Sequence, residues 1–156
     1  MEEQQKGYDQ VKKNVENVTN KMAFYTIFNI PEIQSVELQV IKTLEHDTPG
    51  DMRSTPSPER LKEVFDDCLA SMDFSECYYI VYDFGFYRSP GEYRNMVCLI
   101  SYIPEGSCAI KKKFVYSSTA VKLADSLRIQ KHVSFNSKDD FTYDAMIKAC
   151  ASHKKN

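Results

Sequence analysis

Residues 77–87 read CYYIVYDFGFY, a nearly unbroken run of apolar and aromatic side chains. A strand covered on one face alternates apolar with polar residues, whereas a strand covered on both faces does not. We therefore expect this run to form the central strand of a sheet that has helices on both sides. The turn sequence RSPG at 88–91 follows it, and residues 92–103 (EYRNMVCLISYI) are expected to pair back as the next strand.

The sequence before the central strand predicts a helix followed by a hairpin. From Tyr8 to Met22, apolar side chains recur three and four residues apart, as on one narrow stripe of a helix. Residues 22–30 (MAFYTIFNI) are aromatic and β-branched, and residues 36–40 (VELQV) alternate apolar with polar side chains. Both patterns are typical of strands, and we expect the two strands to form a hairpin.

A second helix is predicted between the hairpin and the central strand. Residues 45–58 have the proline, glycine and hydroxyl composition of a loop. Ser57 can cap the helix, Pro58 suits its first position, and Glu59 places an acid in its first turn. The core side of this helix carries Leu61, Val64, Phe65, Cys68, Leu69 and Met72.

A third helix is predicted at 110–127, IKKKFVYSSTAVKLADSL. Three lysines fill its first turn, where the helix dipole disfavours cations by about 0.3 to 1 kcal/mol each. Local stability does not explain them, and two interpretations stay open, a solvated cluster or a binding surface. The core side of this helix carries Tyr116, Ala120, Leu123, Ala124 and Leu127, and the opposite side carries Lys111, Val115, Ser118 and Lys122.

The last predicted elements are a short strand at 132–136 and a helix that begins near Thr142, with Tyr143, Met146, Ile147 and Cys150 inward. The resulting order, αββαββαβα, predicts an α/β fold of the α+β type. Its central mixed sheet of five to six strands is sandwiched between helices on both faces. We expect one domain over residues 1–156, of which residues 1–6 form a polar tail.

Composition and motifs argue against several classes of function. The formal charge is −2, so attraction to an acidic partner has to come from local lysine clusters, and we expect no nucleic-acid partner. The glycines form no phosphate-binding loop, no cysteine pair shows C-x-x-C spacing, and the histidines lie far apart. We therefore predict no cofactor and no metal site.

The cellular context follows from the cysteines and from hydropathy. The 5 cysteines are odd in number and mostly lie in apolar segments, which indicates a reduced, cytoplasmic protein. No signal peptide or membrane span is predicted. Enzymatic chemistry is not expected, because Asp73, Glu76 and Asp83 flank the central strand, where acids are usually solvated. Buried thiols are also poor nucleophiles.

Three segments resemble one known family, the actin-depolymerising factor/cofilin proteins. They are YYIVYDFGF at 78–86, LISYIPEG at 99–106 and IKKKFVYSS at 110–118, which occur in the family's order and at about its spacing. The third segment is the most specific of them. On these motifs the chain is identified as a member of the actin-depolymerising-factor homology fold.

The resemblance implies that the long helix lies in the cleft between two actin subdomains. Lys111 and Lys113 are then basic contacts and Phe114 is a hydrophobic plug, at a position where the family usually has methionine. The same first-turn lysines, Lys111, Lys112 and Lys113, are implied to bind anionic phosphoinositide head groups in competition with actin. The full set implied for the actin monomer is Lys111, Lys112, Lys113, Phe114, Val115, Ser118, Lys122 and Gly7.

The resemblance also implies a second surface, for the side of the filament, formed by Arg94, Met96 and Lys148. Here the sequence departs from the family. Met96 replaces a lysine or arginine, and Lys148 stands where an acid is common. In addition, Ala149 and Ser152 stand where bases are common. We therefore expect weak filament severing.

The implied function is that of a monomeric protein at the actin cytoskeleton, which binds actin monomers and filament sides and promotes filament disassembly. A module like glia maturation factor, which binds the branch-nucleating actin-related complex, is one alternative. An adaptor that binds only phosphoinositides is another. The first serine is Ser35, so control through a serine near the N-terminus is not expected.

Overall fold

The computed structural model describes residues 6–35 and 37–151, so the predicted tail lies outside it except for Lys6. The predicted order αββαββαβα is confirmed over these residues. A single turn of 3₁₀ helix, Lys138–Asp140, precedes the last helix. The elements are α1 (Tyr8–Thr19), β1 (Ala23–Asn29), β2 (Gln39–Glu45), α2 (Pro58–Ala70), β3 (Tyr78–Ser89), β4 (Glu92–Tyr102), α3 (Ile110–Ser126), β5 (Lys131–Phe135) and α4 (Tyr143–Ala151).

The strands form one mixed sheet of five strands in the order β2-β1-β3-β4-β5. The neighbours from β2 to β4 are antiparallel, and β5 runs parallel to β4. The run that begins at Tyr78 is therefore the central strand, as its unbroken apolar sequence predicts. The predicted hairpin is confirmed as the antiparallel pair of β1 and β2.

Each face of the sheet is covered by two helices. Alternate residues of β3 point to opposite faces, so that Tyr79 and Val81 pack with α1 and α3, whereas Ile80 and Tyr82 pack with α2 and α4. We call these the α1/α3 face and the α2/α4 face. Because each face of β3 is covered by helices, its residues are buried from Tyr78 to Phe86, and only its last three residues are not.

The structure corrects two boundaries in the first third of the chain. Helix α1 ends at Thr19, and Met22 lies beyond it with an exposed side chain. The helix stops because Lys21 adopts a left-handed backbone conformation (φ 63°), which no helix continues through. Strand β2 begins only at Gln39, so Leu38 is buried ahead of the strand, and Val36 lies outside the described residues.

The start of α2 is confirmed in detail. Ser57 Oγ accepts a hydrogen bond from Arg60 N at 3.1 Å, and Pro58 occupies the first position of the helix. Arg60 also binds both carboxylate oxygens of Asp47, at 2.7 and 2.9 Å, which ties the preceding loop to the helix. Predicted core residue Met72 is buried, although it lies beyond the last residue of α2.

The expectation that Asp83 is a solvated acid was wrong. It lies within β3 and is buried, and its Oδ2 is 2.6 Å from Lys21 Nζ. Its other oxygen, Oδ1, accepts a hydrogen bond from Asn95 Nδ2 at 2.7 Å. An ion pair partner from the turn after α1 is what allows a carboxylate to occupy a central strand.

Candidate functional site

Helix α3 is anchored to the sheet through one tyrosine. The hydroxyl of Tyr116 accepts from Ile30 N at 2.7 Å and donates to Ile30 O at 3.1 Å. The hydroxyl of Tyr79 donates to the backbone oxygen of Tyr116 at 2.7 Å, and the two rings stack with centroids 5.0 Å apart. Burial raises the pKa of the Tyr116 hydroxyl, so the group stays protonated and able to donate. The inner side of α3 is therefore fixed.

The first turn of α3 lacks the usual local stabilisation. Its N-cap is Ala109, which has no side chain to accept a hydrogen bond, and the turn contains no acid. A polar cap is typically worth about 1 kcal/mol, and three lysines there oppose the dipole. The start of α3 therefore depends on tertiary contacts, among them the ion pair of Lys112 Nζ with Glu76 Oε1 at 3.0 Å.

The outward face of α3 carries an apolar stripe, of which the sequence analysis named only Phe114. Ile110 is 84% exposed, Phe114 71% and Val121 66%. Their spacing of four and seven residues places them on one side of the helix. The signal was present in the sequence, since apolar residues outside the core stripe repeat at helical spacing.

Lysines flank this stripe. Each residue of a helix is rotated by about 100° from the one before it, which places Lys113 on one side of the stripe and Lys111 and Lys122 on the other. Lys111, Ser118 and Lys122 are exposed, as expected. Exposed apolar side chains flanked by lysines are suited to a partner surface that has an apolar pocket with acidic residues at its edge.

Two residues of the predicted helix surface lie elsewhere. Val115 is partly buried and packs against the core of the α1/α3 face, so its placement on the exposed side was wrong. Its rotation from Phe114 carries it to the edge of the buried side of the helix. Lys112 turns toward Glu76, and its side chain is only 28% exposed. Its ammonium group is already paired.

Gly7 serves as the N-cap of α1 and has φ 85°. A Cβ atom there would lie 2.0 Å from Leu38 O, so only glycine fits. The adjacent Tyr8 hydroxyl lies 2.9 Å from Ser126 Oγ at the C-terminal end of α3. That end is roughly 20 Å along the helix from Lys111, at 1.5 Å per residue. The structure therefore does not bring Gly7 to the lysine cluster.

A groove of about 370 Å³ continues the surface beyond Lys113. It runs along the start of α3 toward the end of β5 and the turn after it, and Glu105 and Asp140 supply acidic groups to it. Asn136 Nδ2 donates to Glu105 Oε2 at 3.2 Å across the groove. Sequence reasoning missed this neighbour, because its residues come from three separate segments.

The predicted filament-side residues lie on β4 and α4. Arg94 and Met96 are inside β4, and Arg94 Nη2 is paired with Glu92 Oε2 at 2.9 Å. Met96 and Ala149 are partly buried and pack against the core of the α2/α4 face. Lys148 is exposed, and Ser152 lies outside the described residues. The predicted filament-side residues therefore lie on other elements than α3. Helix α4 covers the face of the sheet opposite to the one that α3 covers.

Within residues 6–35 and 37–151, no three side chains of His, Cys, Asp or Glu are grouped in a way that could hold a metal ion. None of their helices combines the length and the apolar character that crossing a membrane requires.

A family model described as "Cofilin/tropomyosin-type actin-binding protein" matches residues 2–151. Among curated proteins, the cofilin of Mycosarcoma maydis is 30% identical over 84 residues, which are 53% of this chain. The match spans 60% of that relative's length, less than two thirds of it.

Solved structures with the same fold include actin depolymerization factor 2 of Plasmodium berghei. It has a TM-score of 0.69 and 21% identity, and the match covers 96% of this chain and 97% of the other. The glia maturation factor of Caenorhabditis elegans has a TM-score of 0.57 and 18% identity, with 90% and 91% covered. At these identities the likeness establishes the fold alone.

Proposed function

We propose that this chain, which belongs to the family of cofilin/tropomyosin-type actin-binding proteins, binds actin monomers through the exposed face of α3. It also binds filament sides through β4 and α4 and promotes filament disassembly, with weak severing. The observation that carries the proposal is the solvent-exposed stripe of Ile110, Phe114 and Val121 between lysines. Both core clusters share one sheet, so residues 1–156 act as one domain in this proposal.

The energetics of α3 support a binding role. Burial of an exposed phenylalanine side chain contributes roughly 1.5 to 3 kcal/mol of favourable free energy. The free protein lacks this contribution at Phe114, because the ring is exposed. The uncapped, lysine-rich first turn is also unfavourable in isolation. Both costs are offset when an acidic, apolar cleft covers the face. Because Tyr116 already fixes the helix, little conformational entropy is lost on binding.

Anionic phosphoinositide head groups are proposed as competitors at the same turn. Lys111 is exposed and Lys113 is partly exposed, whereas Lys112 is held by Glu76. Two lysines beside an apolar stripe, one exposed and one partly exposed, suit a membrane surface, where each lysine contributes about 1 kcal/mol near anionic lipids. Actin and lipid would then exclude one another at this face.

Replacing Phe114 tests the monomer site. Phe114→Ala is expected to weaken binding of fluorescently labelled monomeric actin by roughly 10- to 100-fold, from the 1.5 to 3 kcal/mol of lost burial. The melting temperature should not fall, because the ring is 71% exposed. Ile41→Ala, an exposed apolar residue on β2, is the matched control and should leave binding unchanged.

Co-sedimentation with filaments accompanies the titration. If Phe114→Ala binds monomers as tightly as the parent, the α3 face is not the monomer site. If the parent binds neither monomers nor filaments but does bind the branch-nucleating actin-related complex, the glia-maturation-factor-like function replaces this one. Binding only to phosphoinositide vesicles would instead identify a lipid adaptor.

A further inference from the structure

Two cysteines meet beside the first turn of α3. The Sγ atoms of Cys77 and Cys108 lie 2.9 Å apart, and both residues are free thiols. Cys77 directly precedes β3 and is buried, whereas Cys108 lies half-buried in the loop between β4 and α3. Since the sulfurs of a disulfide are about 2.05 Å apart, they need to approach by less than about 1 Å to form a bond.

The folded structure holds these two thiols together through neighbouring contacts. Ser107 Oγ donates to Ser75 O at 3.0 Å, and Lys112 Nζ is 3.0 Å from Glu76 Oε1. The first contact joins the segment before β3 to the loop before α3, and the second joins it to the first turn of α3. All four residues lie within four positions of Cys77 or Cys108. The juxtaposition is therefore built from both segments and does not depend on one side chain.

A second pair of cysteines provides an internal comparison. Cys98 on β4 and Cys150 on α4 have their Sγ atoms 3.6 Å apart, and both side chains are buried in the core of the α2/α4 face. The sulfurs of this pair are farther apart, and solvent reaches them less. The pair at Cys77 and Cys108 differs in having one partner at the surface.

We propose that Cys77 and Cys108 form a reversible disulfide when the protein meets a peroxide, and that this bond clamps the start of α3 to the start of β3. The two cysteines are thus a site of oxidative modification, and formation of the disulfide does not depend on actin binding. The bond closes a ring between residues 31 positions apart in the sequence.

The chemistry has two steps. The thiolate of Cys108 attacks one oxygen of hydrogen peroxide and breaks the O–O bond, which yields a sulfenic acid on Cys108 and hydroxide. The proton that the Cys108 thiol released on ionising converts this hydroxide to water. The sulfur of Cys77 then attacks the sulfur of that sulfenic acid, the S–O bond breaks, and the oxygen leaves as water with the Cys77 proton. In sum, two thiols lose two hydrogen atoms, and one peroxide is reduced to two molecules of water.

The order of these steps follows from the surroundings of the two thiols. Peroxide reaches Cys108 more easily, because Cys108 is half-buried and Cys77 is buried. Burial raises the pKa of the Cys77 thiol, and its hydrogen bond with Cys108 raises it further. Cys77 is thus protonated at neutral pH and acts second, as the resolving thiol.

Mild oxidation tests the clamp. The reduced full chain is treated with one molar equivalent of hydrogen peroxide, remaining thiols are alkylated after denaturation, and peptides are mapped by mass spectrometry without reductant. The expected result is one linked peptide that joins Cys77 to Cys108. The oxidised protein should melt roughly 5 to 15 °C higher, and dithiothreitol should reverse both changes.

Single substitutions separate this pair from the other thiols. Cys108→Ser should abolish the link and the rise in melting temperature, whereas Cys150→Ser should leave both intact. In Cys77→Ser, a sulfenic acid should accumulate on Cys108 and be trapped by dimedone. If Cys77→Ser does not fold, the Cys108→Ser comparison decides alone. A link between Cys98 and Cys150, a dimer joined through Cys108, or over-oxidised Cys108 without a link would overturn the proposal.

Discussion

At the scale of single residues, a buried ion pair explains why one lysine has a left-handed backbone conformation. Lys21 is a lysine with positive φ whose side chain is only 10% exposed, and Asp83 beneath it is 4% exposed. A left-handed lysine costs roughly 1 to 2 kcal/mol, so the ion pair has to offset that strain. The turn between α1 and β1 is therefore specified by a partner 62 residues away.

Breaking this pair should be costly. Lys21→Met or Asp83→Asn alone is expected to lower the free energy of unfolding by about 3 to 5 kcal/mol, because each leaves an unpaired buried group. The double variant should lose less than the sum of the two, as measured by urea denaturation. Arg88→Ala, which removes an exposed ion pair with Glu92, is the control and should cost at most about 1 kcal/mol. Additive single effects would show that the pair is not coupled.

Histidines make the stability depend on pH. His46 is buried and stacks on Phe24 with ring centroids 4.2 Å apart, and burial lowers its pKa. Burial also lowers the pKa of His132. In the unfolded chain a histidine takes up a proton below about pH 6.5. In the folded protein these two histidines take up a proton only at lower pH, because their pKa values are lowered. Stability is therefore complete above pH 6.5 and falls as the pH drops toward the lower folded pKa values.

The matched test is urea denaturation at several values between pH 7.5 and pH 5, a range of roughly one unit or more on either side of the unfolded value. His46→Gln should make the fall in stability with decreasing pH shallower, and His132→Gln should remove the part that His132 contributes. An unchanged pH profile in His46→Gln would mean that His46 titrates normally in the folded protein.

At the scale of elements, α3 divides into an inner side that holds it and an outer side that is free to bind. Tyr116 and Leu123 are buried, whereas Phe114 and Val121 are exposed. The three lysines of the first turn divide in the same way, because Lys112 is paired with Glu76. In the proposed function, binding and stability are thus assigned to neighbouring residues of one turn.

This division predicts opposite effects for the lysines. Lys111→Ala with Lys113→Ala should weaken monomer binding by roughly 10-fold or more, since charge-assisted contacts are worth about 1.5 to 3 kcal/mol each. The melting temperature should stay or rise slightly, because two cations leave the helix N-terminus. Lys112→Ala should do the reverse, with a small loss of stability and nearly unchanged binding.

Salt is an independent check on the same prediction. Raising the ionic strength should weaken monomer binding by the parent more than by the double variant, because exposed charge contacts are screened over about 10 Å at 0.1 M. Equal binding by the parent and the double variant would show that these lysines are only a solvated cluster.

At the scale of the whole molecule, the two proposed actin surfaces lie on different elements, and two of the filament-side positions are not open surface. Met96 and Ala149 both pack against the core of the α2/α4 face. A lysine or arginine at either position has to pack its aliphatic part against that core and extend its charged group into solvent. Met96 has the more suitable shape for such a replacement, because its side chain is also long and unbranched.

We expect weak or slow severing by the parent, and stronger severing when Met96→Lys and Ala149→Arg are combined. Two restored charge contacts could strengthen filament-side binding by about two orders of magnitude. Severing is watched on single filaments at equal protein concentration, with Met96→Leu as the uncharged control. Strong severing by the parent that the two changes do not alter would show that Arg94, Lys148 or other residues already complete the second surface.

Local pattern was sufficient to predict the elements. The order of helices and strands, the central position of β3 and the Ser57 cap follow from periodicity and from residues within a few positions of one another. The buried side of α3 follows for the same reason. The family resemblance likewise rested on contiguous motifs, and the match over residues 2–151 confirmed it.

The tertiary structure alone decided which side chains meet. Lys21 with Asp83, Lys112 with Glu76 and Cys77 with Cys108 are separated by 62, 36 and 31 positions. No local pattern encodes such pairs, because strand order and helix rotation bring them together only after the sheet is assembled. That is why the sequence pattern predicts a solvated Asp83, does not separate Lys112 from its neighbouring lysines, and does not predict the cysteine pair.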